Sequence, residues 1–291
     1  MSVAAAADAF VEAELTERRH GFRTRWYRTP AFVAGVVIVG TILGLALLAP
    51  VIAPYDPTKQ DLQHILQDPS SKHWLGTDQL GRDVWSRMLY AGRVDLRVGF
   101  LAVLLPFVIG TTLGAISGYY GRFGDTVISR LAEIVVAFPF YVLVIAMVFV
   151  LGPGTRNIYL AVTIVGWVSY MRIIRGEVLV QKRQEYTLAA QAAGLSNARI
   201  IIRHLLPNVI TQAIVFAMSD IVLDILLIVT LGYLGLGIQP PTPDWGTMIA
   251  DGQTFLTVKW QLSTIPGVAV VITGLGLSLI GDGLADLLRP E

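Results

Sequence analysis

Apolar blocks long enough to cross a bilayer recur along the chain at 31–53, 98–118, 128–151, 158–176, 209–236 and 265–287, with polar stretches between them. A membrane helix needs about 20 predominantly apolar residues, so the pattern predicts an all-α polytopic membrane protein with six transmembrane helices. The polar stretch at 185–208 has its own pattern, which reads as helix, turn, helix. Residues 185–193 are strong helix formers, Gly194 supplies the left-handed residue that ends a helix, and Ser196 is a good N-cap for the next one. Pro207 is expected to break that second helix. Ala189, Ala190, Ala192 and Ala193 leave the first helix almost bare of side chains. Another protein's surface could approach its backbone closely, which suits a docking element; an ordinary interhelical loop is the plainer reading.

The segment before the second block carries a different pattern. Thr77 or Asp78 can cap a helix start, and Leu80, Val84 and Met88 repeat every four residues along one apolar face. Asp78 with Arg82, and Asp83 with Arg87, are spaced i,i+4 and could support the exposed face. An amphipathic helix at the membrane surface is therefore predicted here. Gly110, Gly114 and Gly118 share one face of the second span, and Gly40 and Gly44 one face of the first. Small residues in such rows let helices approach closely, so both are read as packing. Gly121 and Gly124, after Tyr119 and Tyr120, mark a short turn with aromatics at the interface. Asp220 and Asp224 stand one turn apart in the fifth span, where acids are costly and face a polar cavity or a partner. They are candidates either for a hydrogen-bonded place in the bundle or for the lining of a pathway. The fifth span ends in a row with Pro240, Pro241 and Pro243 followed by Asp244 and Trp245, which cannot be helix and predicts an ordered loop.

Composition agrees with the pattern: 54% of the 291 residues are hydrophobic and 15% charged, against about 25% charged in soluble domains. Arg18, Arg19, Arg23, Arg25 and Arg28 precede the first block, and such residues stay in the cytoplasm. The first block is 23 residues long, too long for the apolar core of a signal peptide, and is read as an uncleaved span. With the N-terminus inside, the inner segments hold 14 of the 22 Lys and Arg. Three regions follow: a cytoplasmic segment at 1–30, the first span with the outer amphipathic segment at 31–97, and a core of five spans at 98–291 that contains the 185–208 loop. Without cysteine there is no disulfide or thiol chemistry, and four scattered histidines offer no pair at metal-ligand spacing. No basic run with interleaved aromatics points to nucleic acid. There is no Gly-x-x-x-x-Gly-Lys-Ser/Thr row to cradle phosphates, nor a nucleophile elbow or His-Glu-x-x-His row. A proton-driven secondary transporter is the rival transport reading, but no repeat relates the two halves.

Two rows carry a family resemblance. Leu188-Ala189-Ala190-x-x-x-Gly194, with Leu206-Pro207 beginning twelve residues after the glycine, resembles the EAA loop of permease subunits of binding-protein-dependent ABC importers. Leu188 departs from it, standing where the family often carries Glu. The row from His73 through Gly76, Thr77, Asp78, Gly81, Arg82, Asp83 and Arg87 resembles the hallmark of one permease subunit of peptide and nickel importers. A similar Gln-Pro-Pro-x-Pro-x-Trp-Gly row follows the fifth span in that family. The resemblance implies a bacterial inner-membrane permease subunit with its N-terminus in the cytoplasm, importing dipeptides, oligopeptides or related small solutes and not itself an enzyme. It implies that Glu185, Ala189, Ala190, Gly194, Leu206 and Pro207 couple the chain to an ATPase. Gly76, Thr77, Asp78, Gly81, Arg82, Asp83 and Trp245 would then belong to outer elements facing a binding protein. The implied partners are a second, homologous permease, two ATP-binding subunits, an extracytoplasmic solute-binding protein and the surrounding lipid. No cofactor is expected on this chain, ATP and Mg²⁺ being held by the ATP-binding subunits. Asp220 and Asp224 take no role from the family and remain pathway candidates by their position alone.

Overall fold

The computed structural model describes residues 30–288, so the arginines expected to hold the N-terminus inside lie outside the described residues. Helix α1 is Pro30–Leu47 and α2 the single turn Ala49–Ile52; a loop at 53–83 leads to the 37-residue α3, Val84–Tyr120. Then come α4 (Arg122–Val136), α5 (Phe140–Leu151), α6 (Thr155–Gln181), α7 (Glu185–Ala192) and the short α8 (Asn197–Arg199). A π-helical segment, Ile200–Leu205, joins α8 to α9 (Leu206–Tyr233), and α10 (Trp245–Gln253) and α11 (Gln261–Leu288) close the chain. Five helical stretches are each long and apolar enough to span a membrane; α4 and α5 together form a sixth if the pair is counted as one.

That pair covers the span expected at 128–151, and it is bent. The chain bends by 83° between α4 and α5, because Pro139 cannot donate to the helical ladder and pushes the residue before it away from helical backbone. The amphipathic segment is corrected. Its helix starts at Val84, capped by Asp83 rather than by Thr77 or Asp78, and runs without a break past residues 97 and 98 to Tyr120.

The centre of the bundle is α3 against α6. A Cβ on Gly110, Gly114 or Gly118 would lie 2.3 to 3.0 Å from the backbone oxygens of Trp167, Met171 and Arg175, so the expected glycine row is the seam itself. Pro106, inside α3, faces Gly166, where a Cβ would come 3.3 Å from the ring. Helix α9 packs across both, and Tyr170, Ile174, Ile225, Ile228 and Leu231 are fully enclosed. Helix α1 lies outside this core against α11. Gly35 and Gly276 make that contact, whereas Gly40 and Gly44, expected to pack, have nothing within 4 Å. Only 11% of the α1 span is buried, against 44% for α3 and for α6.

Both ends of α9 are set by local chemistry. At its C-terminus Gly235 takes φ +76°, and Gly235 and Leu236 donate back to Gly232 and Leu231 at 3.0 and 2.8 Å, closing the helix with a Schellman motif. At the other end Pro207 does not break the chain, contrary to expectation; 197–233 is one long helix. Within the π-helical turn Leu206 N–H donates to Ile201 O, five residues back. This wider turn absorbs a proline that would clash with the carbonyl four residues earlier in a regular helix.

Candidate coupling and docking sites

The helix α7 and the turn after it sit at one end of the bundle. Gly194 has φ +76°, and the N–H groups of Gly194 and Leu195 donate to Gln191 O at 3.0 Å and Ala190 O at 3.2 Å. The second helix begins with Ser196, whose Oγ accepts from Arg199 N. These are the predicted stop and start. Ala190 is fully buried in the same apolar cluster as Ile200 and Leu205, while Glu185, Ala189 and Gly194 are exposed. Of the expected coupling residues, then, three face outward and Ala190 anchors the helix from beneath. Leu206 and Pro207 lie apart from the loop, half-buried in the first turn of α9. Leu188, at the departure from the family row, is 51% exposed. With Leu179, Lys182, Arg183 and Gln191 it lines an open groove of about 340 Å³.

Polar contacts fix the base of this segment, and sequence reasoning missed them. Thr187, fully buried, donates to Gln181 O at 2.8 Å, and Tyr186 Oη to Gln181 Oε1 at 2.9 Å. Tyr119, at the end of α3, donates through its hydroxyl to Asn197 Oδ1 at 2.9 Å. Lys182 Nζ donates to Tyr119 O and lies 5.2 Å from its ring centroid, satisfying a carbonyl at the negative end of the α3 dipole. Asp125 of α4 accepts two hydrogen bonds from Arg175 of α6, at 2.5 and 2.7 Å. Gly121, φ +61°, makes the turn before α4, but Gly124 is helical and not part of it.

The loop at 53–83 and the helix α10 meet at the opposite end. Here the seven residues expected to belong to partner-facing elements are all buried within this chain. Gly76 and Gly81 adopt φ +77° and +72°, where a Cβ would come 2.3 Å from Gln67 O and 1.8 Å from Asp61 O. Thr77 donates to His64 O at 2.5 Å and accepts from Gln67 N at 2.8 Å. Asp78 Oδ1 accepts from the N–H groups of Leu80 and Arg82, and its Oδ2 pairs with Arg82 Nε at 2.7 Å and Arg87 Nε at 3.4 Å. Asp83 does not pair with Arg87 as its spacing suggested. It accepts from Ser86 N and Oγ, and stands 2.9 Å from His73 Nδ1. Two links reach across: Arg82 to Asp251 at 3.5 Å, and Lys259 to Asp68.

Trp245 seals this end. It is 2% exposed, its ring lies against Gly92, where a Cβ would be 2.9 Å away, and its backbone N–H donates to Asp95 Oδ2 at 2.8 Å. Asp244 caps α10 by accepting from Thr247 N and Oγ1 at 3.0 and 2.7 Å. Its burial pushes its carboxyl pKa up, against those hydrogen bonds. Asp95 and Asp244 were both missed; an Asp three residues before a Thr was the readable sign of the cap. The third candidate site is in the membrane-spanning part of α9: Asp220 Oδ2 accepts from Tyr170 Oη at 2.7 Å, and Asp224 is 1% exposed.

With these sites in place, the comparisons with known proteins are specific. A family model described as the binding-protein-dependent transport system inner membrane component matches residues 110–291. Another, the N-terminal TM domain of oligopeptide transport permease C, matches residues 19–69. The chain belongs to the family of binding-protein-dependent transport system inner membrane components, the permease subunits of ABC importers. Among its relatives, the dipeptide transport system permease protein DppC of Alkalihalophilus pseudofirmus is 40% identical over 89% of this chain and 85% of its own length. The glutathione transport system permease protein GsiD of Pectobacterium atrosepticum is 36% identical over 93% of this chain and 90% of its own. The probable D,D-dipeptide transport system permease protein DdpC of Escherichia coli is 36% identical over 97% and 95%. An inward-facing crystal form of the MetNI methionine ABC transporter shares the fold, with a TM-score of 0.55 and 18% identity over 70% of this chain and 97% of that one. This is therefore a multi-pass membrane subunit of an ABC transporter.

Proposed function

We propose that this subunit imports peptides, as one half of a pathway completed by a second, homologous permease. The observation that carries the reading is the division of the molecule into two ends by the single helix α3. Its start is tied to the 53–83 loop and to α10 through Trp245, and its end to Lys182 and Asn197 on either side of α7. In this reading the α7 end is cytoplasmic, and its exposed face enters a groove of an ATP-hydrolysing subunit. ATP and Mg²⁺ are held there, on two such subunits, and this chain binds neither. The 53–83 end faces an extracytoplasmic solute-binding protein, in a bacterial inner membrane with the N-terminus inside. ATP-driven closure of the two ATPases then moves α7 and tilts the spans between outward- and inward-facing states. The buried hallmark residues act as the frame of the outer end, and the exposed Trp74, Val258 and Trp260 beside them are the surface a binding protein would touch. The peptide substrate is supported by the dipeptide permeases among the relatives.

Two measurements test this. The chain has no cysteine, so single cysteines at the exposed Gln63 and Gln191 report orientation. A membrane-impermeant reagent on intact cells is expected to label Gln63→Cys and spare Gln191→Cys; the reverse sinks the topology. In proteoliposomes holding both permeases and both ATPases, dipeptide uptake should require ATP and the binding protein and persist when the proton gradient is collapsed. Uptake on a pH gradient without nucleotide would return the chain to the secondary-transport reading.

A further inference from the structure

The coupling and docking segments leave two acids unused, and these stand one turn apart on the buried side of α9. Asp220 is half-buried where α3, α6 and α9 meet, and Tyr170 Oη holds one of its carboxyl oxygens at 2.7 Å. The Tyr170 ring is packed edge-on against Phe107 of α3 and Phe216 of α9, with centroids 5.5 and 5.0 Å away. Tyr170 itself is fully enclosed and backs the carboxyl, whereas Asp220, Phe107 and Phe216 are each only partly buried and reach the surface of the chain. One turn further on, Asp224 is 1% exposed, and neither of its carboxyl oxygens has a hydrogen-bond partner. The nearby Tyr141 hydroxyl donates instead to Leu223 O at 3.1 Å. Among the described residues, the ion pairs involve neither acid.

Acids at this depth without a cationic partner are costly, and a cation brought to them offsets that cost. Aromatic rings beside a carboxyl add to its attraction for an organic cation, through the negative faces of the rings. We propose that Asp220, backed by the enclosed Tyr170 and Asp224 and neighboured by the partly exposed Phe107 and Phe216, is a station for a primary ammonium group carried by the solute as it crosses. The inference rests on the peptide reading, since an unmodified peptide that does not begin with proline brings such a group at its N-terminus. Tyr170 occupies one carboxyl oxygen of Asp220 and leaves the other to accept from the ammonium. Thereby a charged end passes the apolar middle of the membrane without standing bare.

The test uses the complete complex in proteoliposomes with saturating binding protein and the dipeptide Ala-Phe. Asp220→Asn is expected to lower the uptake rate by about tenfold, the scale of a lost charge-assisted hydrogen bond, and to lower peptides carried per ATP hydrolysed. Phe216→Leu should cost about threefold by removing one neighbouring ring. Asp220→Glu should recover at least half of the wild-type rate, because it returns a carboxylate beside Tyr170. Unchanged uptake in Asp220→Asn overturns the proposal. So does a parallel fall in uptake and ATP hydrolysis that Asp220→Glu fails to rescue, or loss of assembly, either of which makes Asp220 a strut for Tyr170. If the wild-type complex carries no dipeptide, the peptide reading itself fails, and the station loses its ligand with it; that outcome is distinct from the others because it appears before any variant is compared.

Discussion

The two ends of α3 are built on opposite plans. At the 53–83 end, charged residues are buried and paired inside the chain: Asp78 with two arginines, Asp83 with its own helix start, Arg82 with Asp251. At the α7 end the polar contacts lie beneath the helix, and its exposed face is made of Glu185, Leu188, Ala189 and Gln191. A row of fixed residues can therefore mean opposite things. In the row at 76–83 the chemistry holds the chain to itself; in the row at 185–194 most side chains are small or turned outward, and the surface is left for something else.

This contrast is breakable, and the largest effect should come from the turn at 76–81. Gly81→Val places a Cβ 1.8 Å from Asp61 O at φ +72°, an overlap plus strain of about 3 kcal/mol or more. The variant is expected to lose the fold of the 53–83 end, seen as a large fall in Tm in detergent and rapid proteolysis within 53–83. Next is Asp78→Ala, which leaves Arg82 and Arg87 buried without their shared carboxylate. Removing one partner from a buried pair costs about 3 to 5 kcal/mol, so denaturation should show a marked loss, and replacing Arg87 as well should not add a second full increment.

Gly194→Val should do less to stability and more to coupling. It carries the same kind of positive φ, yet a Cβ there meets nothing within 4 Å. Only backbone strain of about 1 to 2 kcal/mol remains. The complex should assemble with normal stoichiometry while solute-stimulated ATP hydrolysis and uptake fall together; normal stimulation would make the loop a plain connector. Leu188→Ala is expected to have the smallest effect on stability, within about 0.5 kcal/mol, because the residue is half exposed. A larger destabilisation would show that α7 is held from outside its own chain's core in a way the contrast does not allow.

Much of the fold was legible because it is local. Block lengths gave the spans, and the spacing of Gly110, Gly114 and Gly118 gave a packing face, though not its partner α6. Gly194 and Ser196 could be assigned because a stop and a cap are each decided by one residue's backbone or side chain. The misreadings share a different cause. Thr77, Asp78 and Asp83 are all competent caps; what selects Asp83 is the turn of Gly76 and Gly81, whose tightness comes from Gln67 and Asp61. The pairing of Arg87 with Asp78 and the bond from Trp245 to Asp95 join residues nine and 150 positions apart, which no periodicity carries. Pro139 was a readable sign of the break between α4 and α5, masked by the apolar run around it. Burial of the row at 76–83 could not be read at all, since charged residues are expected at the surface unless they find partners.

The π-helical turn at Ile200–Leu205 sets the bearing of the whole α7 end. A π turn holds one residue more than the α-helical path it replaces, and each residue of an α-helix turns the chain by about 100°. Residues 197–199, upstream of the turn, are thus out of phase with α9 by that angle, and the loop leaves the bundle on a side that the apolar stripe of α9 alone would not indicate. It follows that chain length between Ser196 and Pro207 acts as a compass setting: removing a single residue there would swing α7 around the bundle instead of shortening its reach.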